Sequence, residues 1–193
     1  MERDLRNLYG MMVDTIIGID PGAQGGIAVW KKDSPKIITA KMPKDVQELL
    51  DFLDYYSGSG HPLLMLEKVQ VRPDDAAVEG GAVNMGKIYR IQKMLANFEH
   101  LRAVIDLSGI PYCLVHPMKW QARLCLRQKG EQKADRKKRY KEVAQKLYPD
   151  VKATMWNCDA ILLMEFGRAM LSDLKGRKWI LENVPKREHE KLF

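Results

Sequence analysis

Two unbroken apolar runs in this chain stop on an acid. Thr15-Ile16-Ile17-Gly18-Ile19 leads to Asp20, and Leu63-Leu64-Met65-Leu66 leads to Glu67. Short apolar runs without alternation suit strands covered on both faces, so the chain must build a sheet with helices over each side. A third acid, Asp159, opens the apolar stretch Ala160-Ile161-Leu162-Leu163-Met164. A carboxylate at the end of a buried element is costly unless it is paired or binds a metal.

The rest of the chain supplies the other layers. Pro21 to Gly26 predicts a glycine-rich turn, followed by a second strand over Ile27 to Trp30. Ile37 to Lys41 predicts a third strand. Lys44 to Tyr56 predicts a helix with Val46, Leu49, Leu50, Leu53 and Tyr56 on one face. Leu63 to Lys68 is the fourth strand and Gln70 to Gly81 a polar loop. A long helix from Val83 to Leu107 carries Ile88, Ile91, Leu95, Phe98 and Ile105 at steps of three or four, and Gly109 stops it. Pro111 to Val115 is the fifth strand. Trp120 to Leu126, Glu131 to Leu147 and Asp159 to Leu174 predict helices. The order predicts an α/β fold with a mixed five-stranded sheet. Its first three strands are antiparallel, later ones are joined by helical crossovers and run parallel, and helices cover both faces. Residues 1–13 read as an N-terminal extension, 14–174 as the folded domain and 175–193 as a loose charged tail.

At 193 residues, with 46% hydrophobic and 30% charged residues, the chain suits one domain with a sizeable core. No run approaches ~18 apolar residues, so no membrane span is expected. Residues 1–10 lack the apolar core of a signal peptide. A cytoplasmic protein is expected. Cys113, Cys125 and Cys158 are odd in number and widely spaced, which argues against a disulfide framework and a zinc site. The net charge of +7 is local. Lys119 to Lys152 holds twelve Lys or Arg against four Asp or Glu, and the remaining residues sum to −1. Such a patch suits a polyanionic partner, or it is a solvated helix face.

Asp20, Glu67 and Asp159 carry the chemistry. Taken alone, a strand-end acid more often caps a helix or pairs with a surface cation. Brought together on one sheet, three carboxylates offer hard oxygen ligands for magnesium. Two such ions about 4 Å apart activate water and neutralise charge in phosphodiester hydrolysis. Asp20, on the central strand, suits the bridging position, with Glu67 and Asp159 reaching in from either side. The Gly22, Gly25 and Gly26 turn also resembles the phosphate loop of actin-like ATPases and sugar kinases, but the chain is too short for their second domain.

Gly18-Ile19-Asp20-Pro21-Gly22, Leu66-Glu67 and Asp159-Ala160-Ile161-Leu162-Leu163 together resemble the RuvC family of Holliday junction resolvases. Gly80-Gly81-Ala82-Val83-Asn84-Met85-Gly86 and His116-Pro117-Met118-Lys119-Trp120-Gln121 resemble its bacteriophage and plant chloroplast branch. The similarity spans roughly residues 14 to 170. It implies an RNase H-like nuclease domain, a homodimer, and paired nicking of four-way DNA. Asp20, Glu67 and Asp159 become catalytic residues and ligands of two Mg2+ ions per site, with Mn2+ as a substitute. By the same resemblance, the Gly81 to Arg90 region touches the junction strands, offering Gly81, Asn84, Met85, Gly86, Lys87, Tyr89 and Arg90. The host is a phage, a bacterium or an organelle.

The family usually carries a fourth acid or a His a few residues before the last Asp, and Lys152 to Asn157 offers neither. Asn157 is expected to cap the last helix through its side-chain oxygen, with metal ligation as the alternative. Lys119, Lys133, Arg136, Lys137, Arg139 and Lys141 are expected at DNA phosphates, with Lys133, Lys137 and Lys141 sharing one helix face. Met85 and Tyr89 are either a wedge at the crossover or core residues. Trp120 and Trp156 are expected to pack. The alternatives are a nuclease for other branched DNA, a junction-binding protein that does not cleave, or a nucleotide-binding protein.

Overall fold

The two apolar runs lie side by side. The computed structural model describes residues 12–22, 24–58, 60–71 and 84–185. Strand β1 (Thr15–Ile19) is buried throughout and pairs in parallel with β4 (Pro62–Glu67), Ile19 opposite Leu66. With β2 (Gly26–Lys31), β3 (Ile38–Lys41) and β5 (Tyr112–Val115) they form one sheet in the order β3-β2-β1-β4-β5. The β1–β2 and β2–β3 pairs are antiparallel, and β1–β4 and β4–β5 are parallel. This is the mixed sheet expected from the order of elements.

Successive strand residues face opposite ways, so each strand feeds two cores. Ile17, Ile19, Val29, Leu64 and Leu66 pack against Leu49 and Leu53 of α1 (Val46–Ser57) and Phe98 and Ile105 of α2 (Met85–Ser108). Ile16, Ala28, Leu63, Met65, Cys113 and Val115 face the other helices. These are α3 (Pro117–Arg123), α4 (Lys133–Leu147), α5 (Cys158–Leu171) and α6 (Leu174–Asn183). Helix α5 is the centre of that layer, with every residue from Ala160 to Gly167 buried. It is buried all round because it has the sheet on one side and other helices on the next, and its buried Glu165 accepts from the Tyr148 hydroxyl at 2.6 Å and the Arg168 guanidinium at 2.8 Å.

Helix α5 touches β1 directly at Gly18. A Cβ there would stand 2.3 Å from the Ala160 carbonyl oxygen and 2.5 Å from the Met164 nitrogen. Only glycine lets the helix lie this close.

Several boundaries differ from those read in the sequence. Helix α3 begins at Pro117 rather than Trp120, because His116 Nδ1 accepts from the Met118 N–H at 3.1 Å and proline suits the first helical position. The last predicted helix stops at Leu171 instead of Leu174, and a further helix, α6, runs into the predicted tail. Asp173 caps α6, its Oδ1 accepting from the Gly176 N–H at 2.7 Å. The tail expected to be loose is therefore helical to Asn183. Ile180 is buried, and Trp179 meets Phe166 edge to face at 5.6 Å. In α2 only Phe98, Val104 and Ile105 are buried, so Ile88, Ile91 and Leu95 extend an apolar line beyond the core. No described helix is long and apolar enough to cross a membrane. Residues 1–11, the 72–83 segment with Gly81, and the tail from 186 lie outside the described residues.

Candidate active site

Strand register brings the first two acids together. Ile19 stands opposite Leu66 in a parallel pair, so Asp20 and Glu67 follow as neighbours at the same end of two central strands. Asp20 lies two residues beyond Gly18, and Glu67 two beyond Met65. By alternation both carboxylates project on the α5 side. The close contact at Gly18 sets the start of α5 over these strand ends and delivers Asp159 from its first turn.

Asp20 is held by its own turn. Its Oδ1 accepts from the Gly22 N–H at 3.0 Å, its backbone N–H donates to the Gly26 carbonyl at 3.0 Å, and the Gly25 N–H donates to the Gly22 carbonyl at 2.7 Å. A Cβ on Gly25 would stand 2.2 Å from the Asp20 carbonyl oxygen, so glycine is needed for the turn to close. The Gly22 and Gly25 N–H groups are thus engaged within the turn, and a strand follows it rather than a helix.

The three acids are coupled electrically. Burial, then the neighbouring charges of Asp20 and Asp159, push the Glu67 carboxyl up to about 8. Burial and Asp159 also raise Asp20. Glu67 Oε1 accepts from the Trp120 indole N–H at 3.1 Å, which opposes the rise. A cluster that resists full ionisation is one that a divalent cation would stabilise. The donor set therefore fits a hard metal ion. Asp20 and Asp159 keep 15% and 13% side-chain exposure, so the cluster meets solvent at a surface. Yet among the described residues no three His, Cys, Asp or Glu side chains are already gathered as a metal cage.

Lys137 sits among these acids. Its ammonium is 2.5 Å from Asp159 Oδ2 and 4.0 Å from Asp20 Oδ2. Burial would lower the Lys137 pKa, but the contact with Asp159 outweighs it and the pKa rises. Lys137 is thus not part of an outward phosphate row with Lys133 and Lys141. Tyr140 and Ala144 of α4 are buried, and Lys137 shares their inward face. Arg139 is likewise engaged, its guanidinium bonding Glu131 at 2.8 and 2.5 Å. Lys133 and Lys141 are exposed and Arg136 half-buried.

Asn157 also departs from its expected role. It stands at the cap position of α5 without a capping bond. Its Oδ1 accepts from the Thr154 N–H at 2.7 Å and the Thr154 hydroxyl at 2.9 Å, and its amide N–H donates to the Lys152 carbonyl at 3.1 Å. It braces the loop before the helix, and two donors already occupy its oxygen.

The DNA-facing candidates fall in separate places. Asn84 caps α2 through the Lys87 N–H at 3.0 Å, and Arg90 Nε donates to the Gly86 carbonyl at 3.3 Å. Met85 and Tyr89 are 73% and 66% exposed, which removes the core-packing alternative for both. The Lys119 ammonium lies 4.7 Å from the centre of the Trp179 ring. Trp120 is fully buried, edge-on to Tyr140 at 5.2 Å. Beyond the packing expected of it, its indole N–H donates to Glu67 Oε1. Pro117 marks the helix start one turn before Trp120, the only local sign that this indole faces the sheet.

No protein-family profile and no curated protein sequence matches the chain. Among solved structures it is similar to Thermus thermophilus RuvC in complex with a Holliday junction substrate. The identity is 12%, over 83% of this chain and 97% of that one, with a TM-score of 0.52. A second Thermus thermophilus RuvC structure aligns at 14% identity over 82% and 95%, with a TM-score of 0.47. The first likeness shows a common fold, the RNase H-like α/β architecture.

Proposed function

We propose that the chain is a divalent-metal-dependent endonuclease that resolves four-way DNA junctions as a homodimer. The observation that carries this is that Asp20 and Glu67, at the ends of two central strands, and Asp159, in the first turn of a helix, lie near enough for their charges to couple. When bound there, divalent ions supply water activation and charge neutralisation at phosphorus. Asp20 and Glu67 hold the ligand oxygens on rigid strand ends, and Trp120 fixes the Glu67 carboxylate. Lys133, Arg136 and Lys141 hold phosphates of the arms. Met85 and Tyr89, exposed at the start of α2, suit contact with unstacked bases at the crossover. The apolar line of Ile88, Ile91 and Leu95 offers a second copy a helix face. The first solved structure it resembles holds a Holliday junction, which supports the same substrate class here.

One observation favours a second reading, a junction-binding protein that does not cleave. Lys137 already neutralises Asp159. A nicking assay on four-way, flap and linear DNA with Mg2+ separates the readings. Symmetric nicks confined to the four-way substrate, and lost in Asp20→Asn, support the resolvase. Tight binding without nicks supports the binder. Nicks on flaps indicate a broader branched-DNA nuclease.

A further inference from the structure

We propose that the Lys137 ammonium fills one of the two cation positions of the acidic cluster, so that the chain binds a single divalent ion, held by Asp20 and Glu67. The inference rests on the nuclease reading above. A second ion needs its own ligands, and this chain has few. Lys152 to Asn157 contains no acid and no His. The Asn157 oxygen is saturated by Thr154. Asp159 is the remaining carboxylate, and Lys137 bonds its Oδ2 at 2.5 Å.

Placement makes this more than a chance surface pair. Lys137 leaves α4 on the side that carries the buried Tyr140 and Ala144 and reaches Asp159 in the first turn of α5. Its side chain keeps 28% exposure, so the pair is partly withdrawn from water. Asp20 Oδ2 lies 4.0 Å from the same ammonium. A divalent ion sharing the Asp159 oxygen would be repelled by a positive charge at contact distance. An ammonium, by contrast, offers three N–H donors, and the bond to Asp159 leaves others for a phosphate oxygen. The cluster then has one metal position beside Asp20 and Glu67 and one lysine position beside Asp159.

Mn2+ binding to the full chain, followed by electron paramagnetic resonance, tests this without reference to cleavage. The expected stoichiometry is one ion per chain in the wild type, two in Lys137→Met, and one in Lys137→Arg, which keeps the charge. The first ion in Lys137→Met should also bind tighter, on the order of tenfold. Two ions in the wild type overturn the lysine assignment while leaving the nuclease reading intact. So does a single ion in Lys137→Met. If the wild type binds no Mn2+, or Asp20→Asn binds it as well as the wild type, both the lysine assignment and the metal-nuclease reading fall.

Discussion

The Trp120 indole N–H donates to Glu67 Oε1 at 3.1 Å and ties α3 to the end of β4. Glu67 is thereby oriented by a side chain that is itself fully buried. Trp120→Phe keeps an aromatic ring against Tyr140 but removes the donor. At neutral pH the folded-state Glu67 carboxyl keeps its proton, and a hydrogen bond to a neutral group contributes about 0.5–1.5 kcal/mol, so stability should fall by about that much. Because this bond lowers the Glu67 pKa, its loss should raise it further. Denaturant midpoints and a carboxyl titration of the variant check both. An unchanged Glu67 titration would show that the indole does not set its charge.

Without divalent ions, the protein should lose stability as pH rises through the neutral range. Glu67 sits at about 8 in the folded chain, against 4.5 for the ordinary side chain. Between these values the folded state keeps a proton that the unfolded state releases. The contribution is full below the lower value and lost as pH rises through the upper one. Asp20 is raised as well and acts in the same direction. Thermal melts in a chelator from about pH 5 to about pH 9 should show a falling midpoint. Glu67→Gln should flatten that fall, and added Mg2+ should reverse it at the alkaline end by binding the charged carboxylates. A midpoint that climbs with pH contradicts the coupled cluster.

Much of this site could be read before any coordinates. Asp20 and Glu67 end apolar runs of similar length, and parallel pairing of such runs leaves the acids adjacent. The mixed character of the sheet, antiparallel and then parallel, followed from the short glycine-rich turn and the helical crossovers. The features that escaped are those in which a long-range contact reverses a local preference. Lys137 sits in a basic run where charge suggests solvent, but Asp159 and Asp20 together outweigh the cost of turning it inward. Asn157 occupies a cap position, yet the Thr154 hydroxyl and N–H lie closer to its oxygen than any helix donor does. Trp179 and Ile180 were hidden in a charged tail, too short an apolar signal to mark α6. Gly18 reads as a weak point in a strand until Ala160 is seen to lie against it.

Gly18→Ala should therefore damage fold and site together. The added methyl would meet backbone atoms of Ala160 and Met164, not a side chain that can turn away. Overpacking of this kind costs about 1–3 kcal/mol. Relief requires α5 to lift from β1, which carries Asp159 away from Asp20. The expected result is a lower denaturant midpoint and weaker Mn2+ binding in the same variant. A variant that is destabilised yet binds Mn2+ as before would show that α5 relaxes without moving its first turn.

The outer face of α4 should govern DNA affinity through charge and not through sequence. Lys133 and Lys141 are exposed and Arg136 is half-buried. Lys137 and Arg139 of the same helix are engaged with Asp159 and Glu131. Each phosphate contact removed should reduce the slope of log affinity against log salt by about 0.9, so the triple change of Lys133, Arg136 and Lys141 to Gln should reduce it by roughly 2 to 3. Fluorescence anisotropy with a four-way junction across salt concentrations measures this directly. The loss should be similar for junctions of different sequence, because phosphate contacts position DNA and do not read it. Arg139→Gln tests the other side of the division: it should lower stability by breaking the clasp to Glu131 while leaving the salt slope nearly unchanged. If Arg139→Gln reduces the slope as much as Lys133→Gln does, the clasp opens in the complex and the inner and outer roles assigned to α4 are wrong.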